Sequence, residues 1–479
     1  MGVFYKPDNA WLGDVTPYYH DGKFRIFYAH DPRNNGRYCQ EISWYQVSTA
    51  DLLGFEEHGE MIPRGTREEQ DYYVFSGSLF QKDSTFYFFY TGHNPYFPGK
   101  DIPCEGIMRA ASRDLLAWEK IPGKILYSRD DIYERHDWRD PFVFWNEEQQ
   151  KYWMLVTSRT KRGPSRRRGC LALCTSGDLE NWEVKEPFWA PDIYYALECP
   201  DLFRIGDWWY LVFSTFSDRS VTHYRMSRSL EGPWLAPEND TFDGRAFYAA
   251  KTCFEGSRRY VFGWDPTRKD DRDYSGWEWG GRLVIHEIIQ EKDGTLLVKV
   301  PRSIDSHFKK KVVQDFKPVL GRWDIKKGRM RADALDSYAC TLGGAMPDPC
   351  KVSVKFRFGS GTRNCGVTLR ASDDGERGYY VRCEPGRSRM VFDAWPRKTT
   401  SEYGFVSDNP FMVELERPVL LKSGTEHELK IFVEGTVCVV YLDGSVAMST
   451  RVYDFKKGRW GLFVQEGRAE FYDFNIWRI

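Results

Sequence analysis

The sequence predicts an all-β protein: a five-bladed β-propeller over residues 1–303, followed by a C-terminal β-sandwich over 304–479. Three observations predict it. A strand rich in aromatic and aliphatic residues recurs five times, at spacings of roughly 50 to 65 residues. The first three copies are each followed by a strand that ends in Ser/Thr-x-Asp-Leu and then an aromatic-Glu pair. Beyond Ile304 the texture changes to short runs that alternate apolar and polar residues. No helical periodicity separates the strands, so an α/β reading fails.

The recurring strand reads Lys23–Ala29, Thr85–Thr91, Lys151–Thr157, Trp208–Ser214 and Arg258–Trp264. The strand after it reads Trp44–Leu52, Ile107–Leu115, Leu171–Leu179 and His223–Leu230; a fifth, Gly281–Ile288, is degraded. The Ser/Thr-x-Asp-Leu element predicts a turn. The pairs Phe55-Glu56, Trp118-Glu119 and Trp182-Glu183 predict a fourth, outer strand. A four-stranded unit cannot bury both faces alone, and a ring of five does so collectively. The innermost strand of each blade is predicted at Trp11–Tyr19, Val74–Phe80, Trp138–Phe144, Leu197–Phe203 and Phe247–Phe254.

The second part contains runs such as Lys351–Phe358, Cys365–Arg370, Gly378–Cys383, Glu428–Val433, Thr436–Leu442 and Arg459–Val464. Alternation of this kind marks half-buried antiparallel strands. Turns such as Asp373-Asp-Gly375 and Asp443-Gly444 separate them. No acid cluster stands out there, so a packing role is expected of this part.

Composition narrows the function classes. Net charge is −1, which offers no footprint for nucleic acid. The basic run Lys161–Arg168 reads as a solvated loop. Eleven cysteines lack CxxC spacing and nine histidines lack ligand spacing, so neither a disulfide framework nor a metal site is expected, and no cofactor. No apolar run approaches membrane-spanning length. The first residues carry no charged-then-apolar leader, which predicts a cytoplasmic protein; a trimmed secreted chain would look the same. The sequence sets no oligomeric state. Aromatics at 16% suit both strands and sugar-facing surfaces.

Aligning the inner strands on the repeat brings Asp14, Ser76, Asp140, Glu198 and Lys251 to about one level of one channel. Three of the five are carboxylic acids. Glycosidic cleavage needs a proton donor and a second carboxylate across the bond. Glu198 suits the donor, set among Leu197, Cys199 and Pro200, where desolvation favours the protonated form. Asp14 follows Gly13, which permits close approach, and suits the nucleophile. Asp140 has Arg139 beside it to keep it ionised and suits electrostatic stabilisation of the transition state. The plainer reading makes these acids turn and bulge residues that satisfy backbone N–H groups.

The blocks Trp11-Leu-Gly-Asp14, Phe75-Ser-Gly-Ser78, Arg139-Asp-Pro141, Glu198-Cys-Pro-Asp201 and Asp243–Thr252 resemble the signature blocks of glycoside hydrolase family 32, the β-fructosidases. The resemblance covers the whole chain and implies the same propeller-plus-sandwich architecture. It implies retaining hydrolysis of β-fructofuranosides, with a small fructoside as partner. Asp14 would be the nucleophile, Asp140 the stabiliser and Glu198 the acid/base. Trp11, Trp44, Phe75, Ser76, Arg139, Asp201 and Trp264 would contact or support the sugar.

The chain also departs from the family pattern. The family has Asn before the nucleophile and Pro-Asn-Gly after it, where this chain has Gly13 and Val15-Thr16-Pro17. Phe27-Tyr28-Ala29 and His30-Asp31-Pro32 replace Phe-Tyr-Gln and Tyr-Asn-Pro. The lost amides predict a different hydroxyl pattern in the substrate; His30, Asp31 and Asn94 are candidates to rebuild the contacts. A fructosyltransferase, an inverting arabinanase- or xylosidase-like hydrolase and a non-catalytic fructan-binding protein are the alternatives.

Overall fold

A computed structural model describes residues 2–34, 36, 39, 41–326, 328–396 and 415–479; the predicted start of the first domain at Met1 lies outside them. The chain forms two compact units. The first comprises Tyr5–Pro266 and Trp279–Leu296. The second comprises Gly2–Phe4, Thr267–Glu278 and Leu297–Ile479. The division therefore falls seven residues before the expected 303/304 boundary, and one excursion of the chain, Thr267–Glu278, belongs with the second unit. Asp273 explains the excursion: its carboxylate accepts from the Tyr379 hydroxyl (2.6 Å) and the Tyr453 N–H (2.7 Å).

The first unit is the propeller. Blade one is Trp11–His20, Lys23–Asp31, Ser43–Thr49 and Glu56–Ile62. Blade two is Tyr73–Lys82, Thr85–His93, Glu105–Ser112 and Glu119–Lys120. Blade three is Tyr133–Asn146, Lys151–Thr160, Gly169–Ser176 and Glu183–Trp189. Blade four keeps three strands, Glu198–Ile205, Trp208–Thr215 and Val221–Ser227; the bridges His223–Thr241 and Met226–Leu235 stand where its outer strand would be. Blade five is Tyr248–Glu255, Arg258–Arg268, Trp277–Gln290 and Leu296–Lys299. Every blade is an antiparallel meander.

The repeated turn works as its residue types require. Leu52, Leu115 and Leu179 take a left-handed φ (63°, 66° and 72°) and bury their side chains between blades. Their N–H groups donate to Thr49 Oγ1, Ser112 Oγ and Ser176 Oγ at 2.9 to 3.0 Å. Two of the freed carbonyls anchor a preceding blade: Leu115 O accepts from Gln46 and Leu179 O from Arg109, both at 2.7 Å. A small polar residue is needed to make the turn, and a large apolar one to hold it down.

The inner strands pack on one another in ring order. Polar side chains stitch them together. Thr16 Oγ1 donates to Gly77 O (2.9 Å), the Val143 N–H to Ser78 Oγ (3.0 Å) and the Thr252 N–H to Asp201 Oδ2 (2.6 Å). The ring closes where Leu12 pairs with Gly281, joining blades one and five.

The second unit forms the expected sandwich strands. Their order is 415–418, 389–395, 378–384, 364–371, 459–478, 350–358, 427–434, 437–442 and 446–451. Arg459–Arg478 is longer than predicted. Its first half pairs with Asn364–Ala371, its second half with Cys350–Phe358, and its other edge with Arg329–Ala345. The basic run at 161–168 is a mostly exposed loop, as expected. All eleven cysteines are free thiols.

Candidate active site

One irregularity positions the site. Each inner strand carries a β-bulge at the same level of its blade, between Gly13/Val15, Phe75/Gly77, Arg139/Phe142, Glu198/Asp201 and Tyr248/Lys251. A bulge kinks the strand and re-aims a side chain. Asp14, Asp140, Cys199 and Ala249 take a left-handed φ there (21°, 58°, 52° and 49°). None is glycine, so each bulge holds a conformation that an L-residue adopts only under constraint. The plain and the chemical readings of Asp14 and Asp140 thus coincide: they are bulge residues, and the bulge places the carboxylates.

The bulges also refine the predicted level. Asp14, Ser76, Asp140, Cys199 and Ala249 are equivalent. Glu198 stands one residue earlier, level with Gly13, Phe75, Arg139 and Tyr248. Lys251 stands two residues past the bulge, buried, with Nζ donating to Gly77 O at 2.5 Å.

Glu198 is held at both oxygens. Arg139 Nη2 donates to Oε1 (3.0 Å) and the Tyr248 hydroxyl to Oε2 (2.7 Å). The carboxyl lies between residues of the same register in blades three and five. Arg139 is a hub. Besides Glu198 it reaches Asp137 (3.3 Å), Glu105 (3.5 Å) and Asp140 (4.0 Å). Burial opposes ionisation of Glu105, but Arg139, His93 and the Trp138 N–H prevail and hold its carboxyl below the ordinary range.

Asp140 is buried. Its Oδ2 accepts the Cys199 N–H (2.9 Å), and its own N–H donates to Thr91 Oγ1 (2.8 Å). Burial raises its carboxyl above the ordinary range, while Arg139 pulls the other way and favours the ionised form. For Asp14, burial first, then the charges of Asp140 and Glu198, push the carboxyl up to about 7, against the pull of Trp264 and Lys251. Three carboxyls from blades one, three and four therefore form one electrostatic unit.

Of the other expected contacts, Phe75 is half-buried against His93, with ring centroids 4.6 Å apart. Ser76 Oγ is buried and has no hydrogen-bond partner among the described residues. Trp264 packs edge-on to Tyr248 at 5.5 Å. Trp11 is half-buried, with Lys6 Nζ 4.8 Å and the Arg33 guanidinium 5.2 Å from its ring centre. Trp44 is buried between blades one and two, against Phe88, and its Nε1 has no hydrogen-bond partner among the described residues. Asp201 Oδ2 accepts both the N–H and the hydroxyl of Thr252 at 2.6 Å, so it clamps blade four to blade five. Asn94 likewise ties a loop, donating to Arg67 O and Glu69 O. Asp31 is buried on Arg33 and the Cys39 N–H, while His30 stacks on Tyr45 at 4.0 Å.

Tyr248 is the partner of Glu198 that sequence reasoning missed. Its position in the repeat, level with Glu198 and Arg139, was the available signal. Tyr248→Phe is expected to lower kcat about tenfold with KM little changed and to reshape the pH profile, because a hydroxyl can donate to a carboxylate and accept from a carboxylic acid. Steady-state kinetics across pH check this; an unaltered kcat and profile refute it.

A propeller whose inner strands converge three carboxyls, one of them clamped by Arg and Tyr, has the equipment that glycosidic cleavage requires. The comparisons agree. The model of the glycosyl hydrolases family 32 N-terminal domain matches residues 4–301, and that of the family 32 C-terminal domain matches 333–478. The chain belongs to glycosyl hydrolases family 32. It is 25% identical to a raffinose invertase of Escherichia coli, over 99% of this chain and 94% of that protein. It is 24% identical to a levanbiose-producing levanase of Bacillus subtilis, over 94% of this chain and 84% of the relative. The solved structure of fructan 1-exohydrolase IIa from Cichorium intybus shares the fold, with a TM-score of 0.75 at 16% identity, covering 99% and 96% of the two chains.

Proposed function

We propose that the protein releases terminal β-fructofuranosyl residues from fructosides or short fructo-oligosaccharides by double displacement with retention. The observation that carries this reading is the pairing of two differently equipped carboxyls. Asp14 stands at a bulge behind a glycine. Glu198 is held by Arg139 and Tyr248. Asp14 attacks the anomeric carbon while Glu198 gives its proton to the leaving oxygen. Glu198 then takes a proton from water, which releases the sugar from Asp14. Tyr248 follows Glu198 through both states by reversing its hydrogen bond. Asp140, one bulge away, lends its charge to the oxocarbenium-like transition state. The sugars in the relatives' names support a fructoside as substrate.

The test is hydrolysis of sucrose, raffinose and 1-kestose, followed by reaction in aqueous methanol. Free fructose and methyl β-fructofuranoside are expected. Absence of turnover on all three overturns the substrate class, and the α-methyl product overturns retention.

A further inference from the structure

At the level of Glu198, four blades present a side chain and one does not. Phe75, Arg139, Glu198 and Tyr248 fill this register in blades two to five; blade one has Gly13. The vacant place is taken by another residue. A Cβ built on Gly13 would lie 2.0 Å from Cη2 of Trp279 and 2.4 Å from its Cζ2. The outer edge of the Trp279 ring therefore occupies the space that a side chain at position 13 would use. Trp279 comes from the third strand of blade five, and its carbonyl accepts from Arg33 Nη2 at 2.5 Å. Its ring lies 5.9 Å from Trp264, which lies 5.5 Å from Tyr248. Tyr248 touches Glu198, and Gly13 precedes Asp14. An aromatic wall thus runs from the acid/base to the nucleophile, and Trp279 is half-buried at its end.

We propose that Trp279 is a specificity-determining residue, forming the blade-one wall of the sugar pocket in place of the side chain that Gly13 lacks. A polar side chain there would read a hydroxyl. An indole reads a C–H face and shape, and leaves the hydroxyl pattern on that side unread. Glycine at 13 is then required by the ring, since any Cβ collides with it. The inference rests on the fructoside reading and names the residue that shapes that subsite.

The experiment is a double-mutant cycle of Trp279→Ala and Gly13→Ala, with kcat and KM on sucrose and 1-kestose, Ki for fructose, and a melting curve for each variant. Wild-type turnover comes first; its absence fails the substrate reading and leaves the wall to be judged by fructose binding alone. Trp279→Ala is expected to raise KM and Ki about tenfold or more while kcat changes less than about threefold. Gly13→Ala is expected to impair the enzyme in the Trp279 background and to be nearly silent in the Trp279→Ala background, because the collision has been removed. If Trp279→Ala does not fold, Trp279→Leu, which keeps bulk and loses the ring, takes its place with the same expectations. Unchanged KM and Ki, loss confined to kcat, or additive effects in the cycle would each overturn the proposal.

Discussion

Asp14→Asn is expected to remove turnover, by at least about a thousandfold, and to make the protein more stable at alkaline pH. The loss follows from the proposed double displacement, in which an amide could not form the glycosyl-enzyme bond. The gain follows from electrostatics. In the folded protein the Asp14 carboxyl is pushed up to about 7 by burial and by Asp140 and Glu198, whereas an unfolded chain releases that proton near about 4. The folded state therefore binds the extra proton between those values, and stability falls as pH rises through about 7. Above that pH the ionised carboxylate opposes folding, and asparagine removes the opposition. Melting temperatures at pH 5 and pH 8 check this, the increase being larger at pH 8. The wild-type kcat/KM should rise with pH along an acid limb placed well above ordinary carboxylates. A limb near about 4, or a variant less stable at pH 8, refutes the assignment.

Arg139→Met is expected to destabilise the protein by ~3–5 kcal/mol and to lower kcat/KM at least about a hundredfold. Arg139 lies within 4.0 Å of four carboxylates, Glu198, Asp137, Glu105 and Asp140, and is itself largely enclosed. Methionine fills the volume but leaves those charges facing one another. Burial raises the Asp140 carboxyl, so it takes up a proton and relieves part of the repulsion as pH falls, and denaturant titrations should show a smaller loss at pH 5 than at pH 7.5. Arg139→Lys keeps the charge without the planar fork and should fall between. A stability change below ~1 kcal/mol at pH 7.5 would show that the hub does not hold the acids in place.

The repeat made most of the fold legible. A strand that recurs with its turn residues fixes the blades, the ring and the convergence of Asp14, Asp140 and Glu198, because each is local chemistry copied five times. What escaped was lateral. Trp44 packs against Phe88 of the next blade, a contact that pattern alone does not show. Asp201 reads as a supporting residue of the site; only the neighbouring blade reveals Thr252 as its partner. The one-residue offset of Glu198 from Asp14 was hidden by the bulges, which leave no residue-type signature when Asp, Ser, Cys and Ala all occupy them.

The seam between the first and last blades has a consequence for timing. Leu12 pairs with Gly281, the Leu283 N–H donates to Tyr5 O at 2.9 Å, and Arg33 donates to Trp279 O. All three links lie close in sequence to Asp14. Asp14 leaves the ribosome some 270 residues before the strand that fixes its surroundings. A growing chain therefore carries the Asp14 carboxylate unframed until the fifth blade emerges and brings the circle back to its start.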